Sequence, residues 1–316
     1  MNSLILQKQE EVIALAQFDI KDAVLKKCLL KEDETVITVP DGVTTIGKDA
    51  LCGLQSVIAV TLPESLKVIN DGAFYGCSSL TSVTLPGSVE RLGSCAFAQC
   101  SALNTIYLDN KLTEIGNSAF WGCTSLESID IPAGVTKIGY NLFGSCLSLI
   151  SVSLPDTVTE LDERAFKECT SLACITLPDS LIKIGNMAFL NCHNLKSVNI
   201  PDRLESIGEK AFFMCESLHE LEIPDGIASV GGDAFSDCVS VTVRSTISGK
   251  PLYKAVTATD GSSAYNFILR NIWDKGGFDF TAQDNYFPAL QDENLQYAIA
   301  FSRLMYLSLI HISEPT

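Results

Sequence analysis

The chain has 316 residues, 47% of them hydrophobic, with a mean hydropathy of +0.23. This composition excludes a disordered chain, the length suffices for a sizeable core, and no apolar run reaches the roughly 18–20 residues of a membrane helix. A formal charge of −16 and a pI of about 4.5 lack the basic footprint that phosphate contacts require, so nucleic acid and membrane insertion are excluded as partner classes.

The opening MNSLILQKQEEVIALAQ interrupts its apolar residues with Lys8, Glu10 and Glu11, unlike the continuous apolar stretch of a secretory signal. Twelve cysteines without an export signal lead us to expect free thiols in a reducing compartment, the cytoplasm. Export or a cell-surface location is the alternative, and widespread disulfides would indicate it.

From Val36 to Ser245 a 23-residue period runs without insertion or deletion through nine units, the first and last atypical. Phenylalanine recurs at 74, 97, 120, 143, 166, 189, 212 and 235, with Leu51 in the first unit. Cysteine recurs at 77, 100, 123, 146, 169, 192, 215 and 238, with Leu54 in the first unit. Segments such as Ser82-Val83-Thr84-Leu85 alternate around a β-branched centre and predict a short strand with one buried face. A proline closes most of these strands, since it gives a ladder no N–H; Asp109 replaces it once.

A second apolar pair follows, as in Val89/Leu92 and Val135/Ile138, and then a glycine column read as Gly47, Asn70, Gly93, Gly116, Gly139, Asp162, Gly185, Gly208 and Gly231. Asn and Asp tolerate a left-handed backbone best among non-glycine residues, so positive φ is expected in this column. One unit cannot bury its own apolar face. Stacked units share ladders and a continuous core, so a fixed period keeps Phe over Phe and turn over turn.

The consensus LPxxVxxIGxxAFxxCxxLxxVxL resembles the BspA-like (Treponema pallidum class) leucine-rich repeat over about 210 residues. The resemblance implies a curved right-handed leucine-rich repeat solenoid. Each coil would hold one strand of a concave parallel sheet, a short second strand and a helical turn at AFxxC. It also implies that 1–35 forms an N-terminal cap, a helix and a lead-in hairpin, before the solenoid of 36–245. Members of the family are mostly binding proteins, some on bacterial surfaces. Residues 246–306 break the period; SAYNFILRNIW and DENLQYAIAFSRLMY read as helices, either of a small C-terminal cap over the last coil or of a truncated helical region. The segment 307–316 contains SLIHISEPT, resembles a translated sequencing-adaptor tail and is set aside from the fold.

The cysteine column has neither the knuckle spacing of a zinc site nor, with side chains parallel at coil spacing, the Cβ approach of a disulfide. Buried reduced thiols acting as small hydrophobes are expected, with Cys95 and Cys174 in more exposed columns. His193, His219 and the carboxylates Glu220 and Glu222 form no nucleophile–base arrangement, so no enzyme, metal or cofactor is expected. A hydrolase would need the Glu220/Glu222 pair to lie in a cleft.

Binding is the better-supported class. The strand columns on the expected concave face are mostly short hydroxyls, against which Tyr107, Asp130, Asn199, Glu220 and Glu222 stand out as contacts. On the turn side, Tyr75, Trp121 and Phe213 either anchor a partner or fold back over the turns. The array holds 24 acidic and 12 basic residues, which favours a basic or neutral partner, whether protein or glycan. The expected function is a non-catalytic interaction scaffold. The alternatives are a structural or targeting module serving an activity encoded further along the gene, or a surface adhesin.

Overall fold

The computed structural model describes residues 17–30, 34–218, 220–224, 227–235, 237–238 and 242–245. The expected C-terminal helices of 246–306, the tail 307–316 and the N-terminal helix lie outside the described residues. What is described of 1–35 begins with a hairpin: β1 (Gln17–Lys21) runs antiparallel to β2 (Val24–Leu29), with a bulge between Asp19 and Ile20. Strand β2 then pairs parallel with the first coil, so the hairpin joins the solenoid through its own backbone.

Two rows of parallel strands follow, numbered in chain order. The longer row holds β3 (Val36–Thr38), β5 (Ala59–Thr61), β7 (Ser82–Thr84), β9 (Thr105–Tyr107), β11 (Ser128–Asp130), β13 (Ser151–Ser153), β15 (Cys174–Ile175), β17 (Ser197–Val198), β19 (Glu220–Ile223) and β21 (Thr242–Ser245). The shorter row holds β4 (Thr45–Ile46), β6 (Val68–Ile69), β8 (Arg91–Leu92), β10 (Glu114–Ile115), β12 (Lys137–Ile138), β14 (Glu160–Leu161), β16 (Lys183–Ile184), β18 (Ser206–Ile207) and β20 (Ser229–Val230). Register follows the period as far as β19, with Ser82 beside Thr105 and Val83 beside Ile106. The last pair places Glu220 beside Thr242, a step of 22, so the unbroken period expected through Ser245 loses one residue in the final coil. In β7, β9, β11 and β13 the central β-branched residue is buried between two exposed neighbours, as alternation of the pleat requires.

The core is a set of columns with no buried polar or charged residue among those described. Phe74 to Phe235 form one continuous stack, with ring centroids 4.8 Å apart at the tightest pair and 5.9 Å at the widest. Interplanar angles are 15° or less, so the rings lie nearly parallel at coil spacing.

The AFxxC segment turns as single bends in series. Ala98 N–H bonds Cys95 O and Cys100 N–H bonds Phe97 O, while the N–H groups of Cys95, Phe97 and Gln99 reach forward to Asn117, Ala119 and Trp121 of the next coil. Half the amides close turns and half join coils. The left-handed residues Cys95 (φ 55°) and Gln99 (φ 60°) keep the bends from continuing as a helix.

The glycine column corrects one expectation. None of its members has positive φ; that conformation falls two residues later, at Asp49, Cys95, Ser118, Asn141, Arg164, Met187, Lys210 and Asp233. Glycine is needed for close approach instead. A Cβ on Gly93 would lie 2.4 Å from Asp71 N, and one on Gly208 would lie 2.4 Å from Asn186 N.

All twelve cysteines are free thiols; the column from Cys77 to Cys215 is buried, Cys95 and Cys238 are half-buried, and Cys52 and Cys174 are exposed. The column does more than fill space. Cys100 Sγ donates to Phe74 O at 3.1 Å, Cys146 to Phe120 O at 3.2 Å and Cys215 to Phe189 O at 3.1 Å, each tying one coil to its predecessor. Burial pushes the Cys123 and Cys192 thiols up to about 12.

Candidate functional site

Because each central strand residue turns inward, its neighbours form a continuous outer face: Thr84, Thr105, Ser128, Ser151, Ser153 and Ser197 are all exposed. Tyr107 rises from this floor of short hydroxyls with 69% of its surface exposed, the highest value among the exposed large hydrophobic side chains. Asp130 occupies the same column one coil further and is also exposed. The structure therefore brings Tyr107 and Asp130 to one face on successive coils.

Asn199 lies farther along this face but is committed to the backbone. Its Oδ1 accepts from Leu177 N at 2.7 Å and its Nδ2 donates to Leu177 O at 2.8 Å. The amide thus extends the pairing beyond the two-residue strands β15 and β17. Glu220 and Glu222 stand on β19, in register with Thr242 and Arg244 of β21.

The turn aromatics divide. Tyr75 is 38% exposed, whereas Trp121 and Phe213 are half-buried against the coil edge. His193 is half-buried with Nδ1 3.7 Å from Glu216 Oε1, and His219 lies outside the described residues. Among the described residues no group of three or more His, Cys, Asp or Glu is arranged to hold a metal ion.

Several exposed apolar residues on the array escaped the sequence reading, among them Ile150 at 54%, Ile58 at 44% and Leu147 at 42%. A signal was present for Leu147. Its neighbours in the column, Ser101, Thr124 and Thr170, are hydroxyls that bond the preceding coil, with Ser101 Oγ donating to Ser78 O at 3.3 Å and Thr124 Oγ1 to Ser101 O at 3.1 Å. Leucine at 147 forgoes that bond and stands in solvent.

The shorter row carries charges of alternating sign: Arg91, Glu114, Lys137, Glu160 and Lys183. Arg91 Nε meets Glu114 Oε1 at 3.2 Å, and Lys137 Nζ meets Glu160 at 3.2 Å and Asp162 at 3.0 Å. The bond to Asp162, aided by Glu160, raises the Lys137 ammonium above its ordinary value. Asp162, though partly desolvated, is held below the usual carboxylate range by the Glu163 N–H and by Lys137.

The family model of the BspA type leucine rich repeat region matches residues 19–150 and 136–250. Among solved structures, a leucine-rich repeat protein from Bacteroides ovatus is similar at 20% identity and a TM-score of 0.51, over 79% of this chain and 90% of that one. A leucine rich cell surface protein from Faecalibacterium prausnitzii is similar at 24% identity and a TM-score of 0.46, over 78% and 97%. The leucine-rich repeat protein of T. pallidum is similar at 25% identity and a TM-score of 0.43, over 72% and 88%. No curated protein matches in sequence. With the repeat matched across most of the chain and the coils stacked in the register that the period demands, this chain belongs to the BspA-type leucine-rich repeat family.

Proposed function

We propose that the chain is a non-catalytic interaction scaffold that binds a protein or glycan partner through the face carrying Tyr107 and Asp130. The observation that carries this reading is the 69% exposure of Tyr107 on an otherwise small-hydroxyl floor. A large aromatic held by a strand loses little entropy on binding, and tyrosine is enriched among the residues that dominate interface energies. The acidic balance of the array favours a basic or neutral partner. The free thiols fit a reducing compartment, which we propose to be the cytoplasm.

The test is comparative. The full chain, Tyr107→Ser and Asp130→Ser are immobilised at equal density and exposed to a glycan array and to lysates of candidate bacterial and host cells. Species retained by the unaltered chain should be lost at least about tenfold in both variants, as expected for removal of a central contact. Equal retention by all three, with unchanged circular dichroism, would remove this face from the function.

A further inference from the structure

We infer that the boundary between the coil carrying β9 and β10 and the coil carrying β11 and β12 is a bending joint built into the solenoid. Four separate features of the stack change at this place. The first is the ladder: β9 pairs back to β7 and β10 back to β8, while β11 pairs forward to β13 and β12 forward to β14, and neither ladder continues across the boundary. There the longer row keeps only a stretched bond from Glu127 N–H to Asn104 O at 3.4 Å, against 2.8 Å from Ile150 N–H to Glu127 O one coil later. The longer row is interrupted again between β13 and β15, but there the shorter row continues through β14 and β16. Both rows open together only here among the described strands.

The second feature is the backbone bonding beside the shorter row. Thr113 N–H donates to Glu90 O and Thr159 N–H to Thr136 O, but the equivalent bond from Thr136 to the coil before it has no counterpart. Likewise Gly116 N–H reaches Leu92 O and Asp162 N–H reaches Ile138 O, with no such bond from Gly139. The third is clearance. A Cβ on Gly116 would lie 2.3 Å from Ser94 N, whereas one on Gly139 would lie 3.9 Å from the nearest backbone atom, Asn117 Cα, with the Asn117 side-chain oxygen nearer, at 2.8 Å. The ring step across the boundary, Phe120 to Phe143, is 5.7 Å, second in the stack to the 5.9 Å between Phe97 and Phe120 one coil earlier. The fourth is charge. Glu114 pairs backward to Arg91 and Lys137 pairs forward to Glu160, so among the described residues no ion pair of this column bridges the boundary.

The turn side still holds. Ser118, Phe120 and Gly122 donate to Tyr140, Leu142 and Gly144, and Tyr140 N–H donates to Asn117 Oδ1 at 3.1 Å. The turn stack is therefore the axis, and the strand rows open and close about it. The coil on the N-terminal side is the one in which Asp109 stands where the other coils have proline.

The test uses the full chain with Cys52, Cys95 and Cys174 replaced by serine and two pairs of spin labels in one strand column. Val36/Thr105 spans three coil steps without crossing the joint; Ser82/Ser151 spans three and crosses it. At ~4.8 Å per step each pair is about 14 Å apart, within reach of dipolar broadening. We expect the Ser82/Ser151 pair to show about twice the spread of distances. Residue-resolved hydrogen exchange should also find the Thr136 and Gly139 amides at least about tenfold less protected than those of Thr113 and Gly116. Equal spreads for the two pairs would overturn the joint even with fast exchange at Thr136, because that combination describes local fraying. Equal protection at Thr136 and Thr113 would overturn it as well.

Discussion

Cys123 is enclosed on all sides, its Sγ donating to Phe97 O at 3.2 Å, and this environment has chemical consequences. Native protein treated with iodoacetamide at pH 8 should be alkylated at Cys52 and Cys174 while Cys123, Cys146 and Cys169 stay unmodified; mass spectrometry of the intact and digested chain checks this. The same burial sets a pH dependence. Cys123 and Cys192 are raised from an ordinary 9.0 to about 12, so the folded chain keeps protons that the unfolded chain releases. Their contribution to stability is complete below about pH 9 and is lost as pH rises toward 12, at about 1.4 kcal/mol per pH unit for each thiol. Urea midpoints should fall across that window and fall less in a Cys123→Ser, Cys192→Ser double variant. Phe166→Ala, which opens the ring stack, should cost about 3–5 kcal/mol by the same measurement. The buried identity of both columns was legible from the period, because period and apolarity are sequence properties. The direction of the S–H bond was not, since it depends on a carbonyl 26 residues earlier.

At the scale of the element, strands of two or three residues hold their register through bonds that the period does not encode. Asn199 is an unusual polar residue on the outer face because it extends the pairing at Leu177. Asn199→Ala leaves that N–H and C=O without their partner and should cost about 1–3 kcal/mol; Asn199→Asp keeps only the acceptor half and should fall between the two. Hydrogen exchange at Leu177 separates this role from a contact with a partner, because only a structural bond protects that amide in the isolated chain. The glycine column failed in a similar way. A glycine string announces a special backbone position but does not say whether φ or clearance is the reason. Here backbone atoms of the preceding coil decide it, 2.4 Å from the Cβ that Gly93 lacks. Alternation and proline placement, by contrast, are local, and the strands fall where those signals put them.

Over the whole molecule the architecture follows from one repeated sentence of 23 residues, and the features absent from that sentence are those in which coils differ from one another. Tyr107, Asp109 and Asp130 break columns, and they lie on either side of the boundary where both strand rows open. A regular array offers every coil the same environment, so departures of this kind mark where shape or recognition is concentrated. The candidate face was therefore half legible: its exposed tyrosine stood out, whereas the opening between coils required atoms.

The alternating charges from Arg91 to Lys183 carry a consequence for length. Deleting residues 114–136 would set Arg91 beside Lys137, like against like, whereas deleting 114–159 would set Arg91 beside Glu160 and restore attraction. The doubly shortened chain should then be penalised less at its new junction than the singly shortened one, by about 0.3–1 kcal/mol at low salt, and 1 M sodium chloride should erase the difference. Along this stretch the protein has parity: it tolerates growth or loss by twos and resists it by ones.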